Sequence, residues 1–479
     1  MMHKNNELFF SFCTPQNHYV YDANKNSILK VTQKVARYLE DRDSVIISES
    51  DKKFLDSIKK LGWLQDSKIE EIVHPSTAIL PSLLERRVEG ITLQITQQCN
   101  LRCKYCVYSG CYDSRGHTNK AMSFETACKG VDFLLNHSID CDDINIGFYG
   151  GEPLLAFNVL KKVVAYVEEK GEGKNIGFHI TTNGTLFTEE ILTYLQEKKF
   201  HVLISLDGDK EQHDKNRVFA VSGTGTFDTI MKYLGIIKEH YSDLYSRMTY
   251  NAVIDPTITN QCSNNFFLQC KEAEGVNVTA SIISSQYRKD DIDIPDEFFI
   301  QEEKENFKLF LHKLNRLESK HISKITLGKF EEIKGKMFLL RQRPTALPEK
   351  CHPGGPCVPG VRKLFLNVDG ELFPCERVSE SSKLSIIGNL IDGFDFERIE
   401  SILNVGRLTA SHCKKCWAFL MCTQCIATAD QNEKLSAQKR LAGCKEVKGY
   451  AEEMLKDYCT LLEYGFVFEN DEIPLYTWD

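Results

Sequence analysis

No apolar run in this sequence approaches the ~18 residues that a membrane span needs. The opening residues, Met-Met-His-Lys-Asn-Asn-Glu-Leu-Phe-Phe, lack the apolar core of a secretion signal, so a cytoplasmic protein without a membrane partner is expected. Blocks of Lys or Arg are also missing. With 59 basic against 67 acidic residues the formal charge is −8, and nothing favours a nucleic-acid partner. There is no internal repeat and no low-complexity tract. A hydrophobic fraction of 42% and a charged fraction of 26% are ordinary for a globular chain, and 479 residues are too many for one domain.

Cysteine is what the chain has in quantity, 18 in all. A reducing compartment disfavours disulfides, so so many thiols need another use. Cys99, Cys103 and Cys106 form C-x3-C-x2-C directly after the strand-like run Ile91–Thr96. Eight more lie between Cys351 and Cys444: C-x5-C-x17-C at Cys351, Cys357 and Cys375, then C-x2-C-x5-C-x2-C at Cys413, Cys416, Cys422 and Cys425, then Cys444. The other seven are scattered and read as small buried apolar residues, with Cys111 set apart by its nearness to Cys106. Three thiolates hold three irons of a four-iron cluster and leave the fourth for a small molecule, whereas such clusters usually take four cysteines. The C-x2-C pairs suit zinc as well as iron–sulfur clusters.

Residues 7–31 carry three β-like runs, Leu8–Cys13, His18–Asp22 and Asn26–Val31, and two helix-like runs follow, Thr32–Glu40 and Ser50–Leu61. This order suits a winged-helix-like module over residues 1–84, with His74–Leu84 as its linker. From Gly90 strands and helices alternate: strand candidates are Ile91–Thr96, Ile144–Tyr149, Ile176–Thr181, His201–Leu206, Met248–Ile254 and Val276–Ile283. Ser123 and Thr188 are N-cap candidates for helices between them. The expectation is an α/β domain over 85–320 with a parallel sheet, crossover helices and ligands at the strands' C-terminal ends. A polar helical stretch, Pro295–Arg343, leads into a cysteine-rich domain over 321–479.

Polar groups cluster at those strand ends. Gly150-Gly151-Glu152-Pro153 offers close backbone approach and a carboxylate acceptor. Thr181-Thr182-Asn183-Gly184 and Ser205-Leu206-Asp207-Gly208 suit ribose hydroxyls or a carboxylate, and equally ordinary turns. Arg217 suits a carboxylate ligand or an ion pair anchoring its loop.

The succession of the cysteine loop, Gly150–Pro153, Ser205, His213–Arg217, Gly223–Phe227 and the distal cysteines resembles the radical S-adenosylmethionine (SAM) enzymes with a SPASM extension, across roughly residues 88–446. The resemblance implies a partial (β/α)6 barrel. It implies a SAM-binding 4Fe–4S cluster on Cys99, Cys103 and Cys106, with Tyr105 near adenine. Gly150, Gly151 and Glu152 are implied at the methionine amino group, and Asn183, Ser205, Asp207 and Arg217 as further SAM contacts. By family order one auxiliary 4Fe–4S cluster takes Cys351, Cys357, Cys375 and Cys425, and the other Cys413, Cys416, Cys422 and Cys444, three clusters in total. The spacing Cys422-x2-Cys425 is one residue shorter than is usual there. Glu376 stands where sulfatase-maturing relatives carry an aspartate base; a solvated turn residue is the alternative.

The implied activity is thioether formation in a ribosomally made, cysteine-rich precursor peptide whose leader binds the N-terminal module. Flavodoxin or ferredoxin would serve as electron donor. Rival readings are formylglycine formation on a sulfatase, epimerisation or C–C crosslinking, and, outside enzymology, a metal-stapled peptide-binding scaffold.

Overall fold

Alternating large apolar residues begin the first sheet. β1 (Phe9–Cys13), β2 (His18–Asp22) and β3 (Ser27–Val31) form an antiparallel meander in the order β1-β2-β3. The computed structural model describes residues 8–43, 45–258, 261–339 and 346–469. Because side chains alternate between faces, Phe9, Val20 and Val31 pack with Val35, Leu39, Leu55 and Ile58 of the helices Gln33–Glu40 and Glu49–Lys60. Thr32 and Ser48 cap these helices, Ser48 with Asp51 in a capping box. The opposite face carries Leu8, Phe10, Phe12 and Tyr21 into a second apolar core shared with the C-terminal region. Phe10 stacks on Trp417 at 4.1 Å. One carboxylate oxygen of Glu463 accepts hydrogen bonds from Thr14, Asn17 and Tyr19.

The stretch read as a linker is structured. β4 (Glu71–Ile72) pairs in parallel with β11 (Lys350–Cys351). A tight turn over Pro75–Ile79 and a helix over Leu80–Arg86 follow, both with proline in the first turn, where its missing N–H costs nothing. Leu80 and Leu84, one helical turn apart, enter the main core.

That core sits behind a ten-stranded sheet. β5 (Gly90–Thr96), β6 (Asp143–Gly150), β7 (Asn175–Thr182), β8 (His201–Ser205), β9 (Met248–Ile254) and β10 (Asn277–Ile282) run parallel and adjacent in sequence order. This is the expected partial-barrel wall, with crossover helices at Phe124–His137, Phe157–Lys170, Glu189–Glu197 and Phe227–His240. Ser123 and Thr188 cap the first and third. Ile146, Phe148, Ile180, Val202, Ile204 and Ala252 face the helices, whereas Tyr149, Thr181, Ser205 and Asn251 stand on the other face and are half-buried.

The cysteine-rich region continues the same sheet. β12 (Phe365–Leu366) pairs in parallel with β5, and β13 (Glu371–Phe373), β14 (Gly388–Asn389) and β15 (Gly393–Phe394) extend it antiparallel. Within Pro295–Arg343 the structure has helices over Asp296–Lys313 and Lys324–Ile333; Arg343 lies outside the described residues. A last helix, Cys444–Glu463, returns to the N-terminal sheet. Among the described residues no helix is long and apolar enough to cross a membrane.

Candidate active site

Cys99, Cys103 and Cys106 lie on the loop leaving the C-terminal end of β5. The backbone of Leu101 donates to Cys99 Sγ at 3.4 Å, and the Cys106 amide donates to the Cys103 carbonyl at 3.1 Å. None of the 18 cysteines is in a disulfide. Burial pushes the Cys99 thiol up to about 12 and Cys103 to about 11, and Cys106 is raised for the same reason. Arg217 opposes that rise at Cys103 and Cys106, and Arg115 opposes it at Cys106. Cys99, Cys103 and Cys106 are thus electrostatically coupled and faced by two arginines, a chemistry suited to an anionic thiolate-ligated group. Among the described residues, however, no three His, Cys, Asp or Glu side chains are already arranged around a single metal ion.

The glycine pair has a backbone reason. A Cβ on Gly150 would stand 2.0 Å from the Thr96 carbonyl oxygen, and one on Gly151 2.0 Å from that of Gln98. The Gly151 and Glu152 amides donate to these same carbonyls, both at 2.8 Å. The end of β6 is thereby sewn to the start of the cysteine loop. Glu152, expected to offer its carboxylate to a ligand, is buried beneath the loop. Its oxygens accept from Thr182 Oγ1 at 2.8 Å, the Asn183 amide at 2.8 Å and the Leu154 amide at 3.1 Å. Desolvation nonetheless raises it to about 7.

Asn183 reaches the loop from the end of β7. Its amide nitrogen donates to Asn100 Oδ1 at 2.9 Å and lies 3.9 Å from Cys99 Sγ, while its oxygen accepts from Thr185. Arg217 forms the ion pair that was the alternative to ligand binding: Nε and Nη2 donate to the two oxygens of buried Asp207 at 2.9 and 3.0 Å. Asp207 also accepts from the Val253 amide and from the hydroxyl of Tyr105, whose ring lies 5.3 Å from the Arg217 guanidinium carbon. Asp207 and Arg217 thus brace Tyr105 and Cys103; a buried carboxylate and guanidinium need each other as partners. Ser205 ends β8 on the face opposite the helices.

The distal cysteines fall into groups. Cys413, Cys416, Cys422 and Cys444 are linked electrostatically, and Cys357 and Cys425 each act on Cys375. Cys351 lies in the second apolar core, where burial alone acts on its thiol. Glu376 is partly exposed, with Arg377 3.9 Å away, and its charge is felt by Cys375, Tyr149 and Arg115. Cys111 packs against Tyr112 and Tyr287, the cluster that Cys425 touches from the cysteine-rich side.

Several residues here have no motif to announce them. Arg115, nearly fully buried, pairs with Glu380 at 2.6 Å and lies over the rings of Tyr108 and Phe365. Gln94 on β5 donates to Glu380 and Tyr108 and accepts from the Val368 amide. This network ties the cysteine loop to the distal domain. Only an isolated Arg and Glu appear in the sequence, 265 positions apart by number.

A six-stranded parallel wall with a three-cysteine loop at its first strand end defines a class, and comparison with known proteins agrees. Residues 93–263 match the model of the Radical SAM superfamily, so the chain carries a radical SAM domain. An uncharacterized protein of Methanocaldococcus jannaschii is 38% identical over 153 residues, 32% of this chain and 50% of that protein. The radical SAM cyclopropyl synthase TigE of Paramaledivibacter caminithermalis is 27% identical over 179 residues, 34% of this chain and 37% of TigE. The cysteine-type anaerobic sulfatase-maturating enzyme of Clostridium perfringens is 30% identical over 144 residues, 30% of this chain and 38% of that enzyme. The chain thus spans half or less of these relatives' lengths. The solved structure of native anSMEcpe with bound AdoMet shares the fold, with a TM-score of 0.57 at 22% identity over 78% of this chain and 98% of that one.

Proposed function

We propose that this chain is a radical SAM maturase that installs thioether crosslinks, cysteine sulfur to a carbon of another residue, in a ribosomally made cysteine-rich peptide. The observation that carries the reading is the gathering of Cys99, Cys103 and Cys106 at the end of β5, inside the segment that matches the superfamily. When bound, SAM on a four-iron cluster supplies a 5'-deoxyadenosyl radical for hydrogen abstraction. Tyr105, Asn183, Ser205 and the backbone of Gly150 and Gly151 line the SAM side in this reading, with Glu152, Asp207 and Arg217 bracing them. Cys413, Cys416, Cys422 and Cys444 would hold one auxiliary cluster. Cys357, Cys375 and Cys425 would hold the other, with Cys351 as the fourth thiol that the family order implies. Glu376 is the candidate proton acceptor, within electrostatic reach of Tyr149. The leader would bind the N-terminal sheet, and a flavodoxin or ferredoxin would deliver electrons in the cytoplasm.

Mass spectrometry of a precursor peptide coexpressed with the protein tests this. Each crosslink removes two hydrogens, so the product is about 2 Da lighter, resists thiol alkylation and is unchanged by disulfide reductants. Mass loss reversed by reductant would mean disulfides instead. The similarity to the sulfatase-maturating enzyme favours one second reading, formylglycine formation, and an aldehyde-reactive product would identify it.

A further inference from the structure

Arg440 is the largest fully buried side chain among the described residues, 1% exposed on the short helix Ala437–Ala442. Its Nε donates to Thr409 Oγ1 at 3.2 Å, and that hydroxyl lies 3.2 Å from Cys413 Sγ. Its own carbonyl is 3.8 Å from Cys444 Sγ. The guanidinium also acts electrostatically on Cys413 and Cys422, two members of the set. Among the described residues no carboxylate pairs with it, and Nη1, fully enclosed, has no hydrogen-bond partner. A buried guanidinium without an anion is costly, because desolvation is not returned by any Coulomb partner. Four neutral thiols do not supply that anion. Four thiolates around a metal group do.

We infer that Arg440 is the built-in countercharge of the metal group held by Cys413, Cys416, Cys422 and Cys444, and that it sets the reduction potential of an iron–sulfur cluster there. This rests on the auxiliary-cluster reading above. Arg440 is a positioning residue: it acts on the cluster through charge and through Thr409. A fixed cation stabilises the more negative, reduced form, so it raises the potential, net charge and hydrogen bonds to sulfur being the protein's controls on such a cluster.

The test is an EPR-monitored redox titration of the full chain reconstituted with iron and sulfide, following the signal that Cys422→Ala abolishes. Arg440→Gln removes the charge and keeps a donor; at a fixed potential its reduced-to-oxidised ratio should fall at least about tenfold, equivalent to a downward shift of about 59 mV for a one-electron couple. Arg440→Lys keeps the charge, folds in the same space and should stay near the parent. An unshifted signal in Arg440→Gln at full iron content, or equal shifts in both variants, would overturn the assignment while leaving the cluster reading intact. Zinc in place of iron at these cysteines would overturn both.

Discussion

Desolvation raises the affinity of the half-buried Cys99 thiol for its proton to about 12, so a metal bound there must displace that proton. Replacing Cys99, Cys103 and Cys106 together by Ala should remove one cluster, about four irons, and abolish reductive SAM cleavage. Cleavage persisting in that variant would show that the catalytic loop lies elsewhere. His213 gives a second residue-scale expectation. Fully buried, it accepts from the Asp207 amide and meets Thr226 Oγ1, and desolvation lowers it to about 4. Its unfolded counterpart takes up a proton near pH 6.5, so between there and pH 4 the unfolded state binds more protons. His213 therefore leaves stability intact above pH 6.5 and costs up to about 1.4 kcal/mol per pH unit as pH falls towards 4. His213→Gln should show a shallower loss of melting temperature over that window. A slope identical to the parent's would exclude His213 as its source.

Among the elements, the N-terminal sheet is fastened at both faces, to its own helices and to Trp417 and Glu463. Deleting it would strip the second core, so leader binding needs a local test. Among the described residues β3 pairs only with β2, leaving its other edge as a ladder suited to an extended peptide. Lys30, exposed on that strand, is the position to change. Lys30→Pro should weaken precursor processing about tenfold through KM while SAM cleavage without peptide is unchanged. Equal KM for precursor would remove the recognition role. The glycine pair belongs to this scale as well. Gly151→Ala sets a methyl group 2.0 Å from the Gln98 carbonyl, so β6 and the cysteine loop must part; lower melting temperature and lost SAM cleavage are expected together. A variant with the parent's stability and activity would refute that account.

At the scale of the whole molecule, one sheet carries both cysteine regions, since β12 continues from β5 by Thr92–Phe365 and Leu93–Leu366. The distal cysteine region is thus joined to the sheet that carries the Cys99–Cys106 loop, with Arg115, Glu380 and Gln94 across the seam. Anaerobic reconstitution should load about twelve irons, three clusters of four; near-stoichiometric zinc with about four irons would reject the auxiliary clusters. If the proposed auxiliary cluster at Cys357, Cys375 and Cys425 takes up the electron left when the carbon radical bonds to sulfur, Cys375→Ala should leave deoxyadenosine formation and remove most crosslinked product. Full crosslinking in that variant would disconnect the distal cysteines from the chemistry.

The sequence by itself determined the parallel wall, the cysteine loop after its first strand and the three N-terminal β runs, whose antiparallel order came from the structure. These are local signals: period-two and period-3.6 apolar patterns, caps at Ser123 and Thr188, and thiols a few residues apart. It also supplied Gly150–Glu152 and Arg217, but not what they touch. Only the tertiary structure decided that Glu152 turns under the loop to Thr182 and Asn183, that Arg217 holds Asp207, and that His74–Leu84 is a helix-bearing part of the core. It alone brought Arg440 to Cys413 and Arg115 to Glu380. Partners of buried charges are chosen by which segments the sheet sets side by side. A lone Arg or Glu far along the chain carries no trace of that choice in its neighbours, because the partner is fixed by folding and not by spacing.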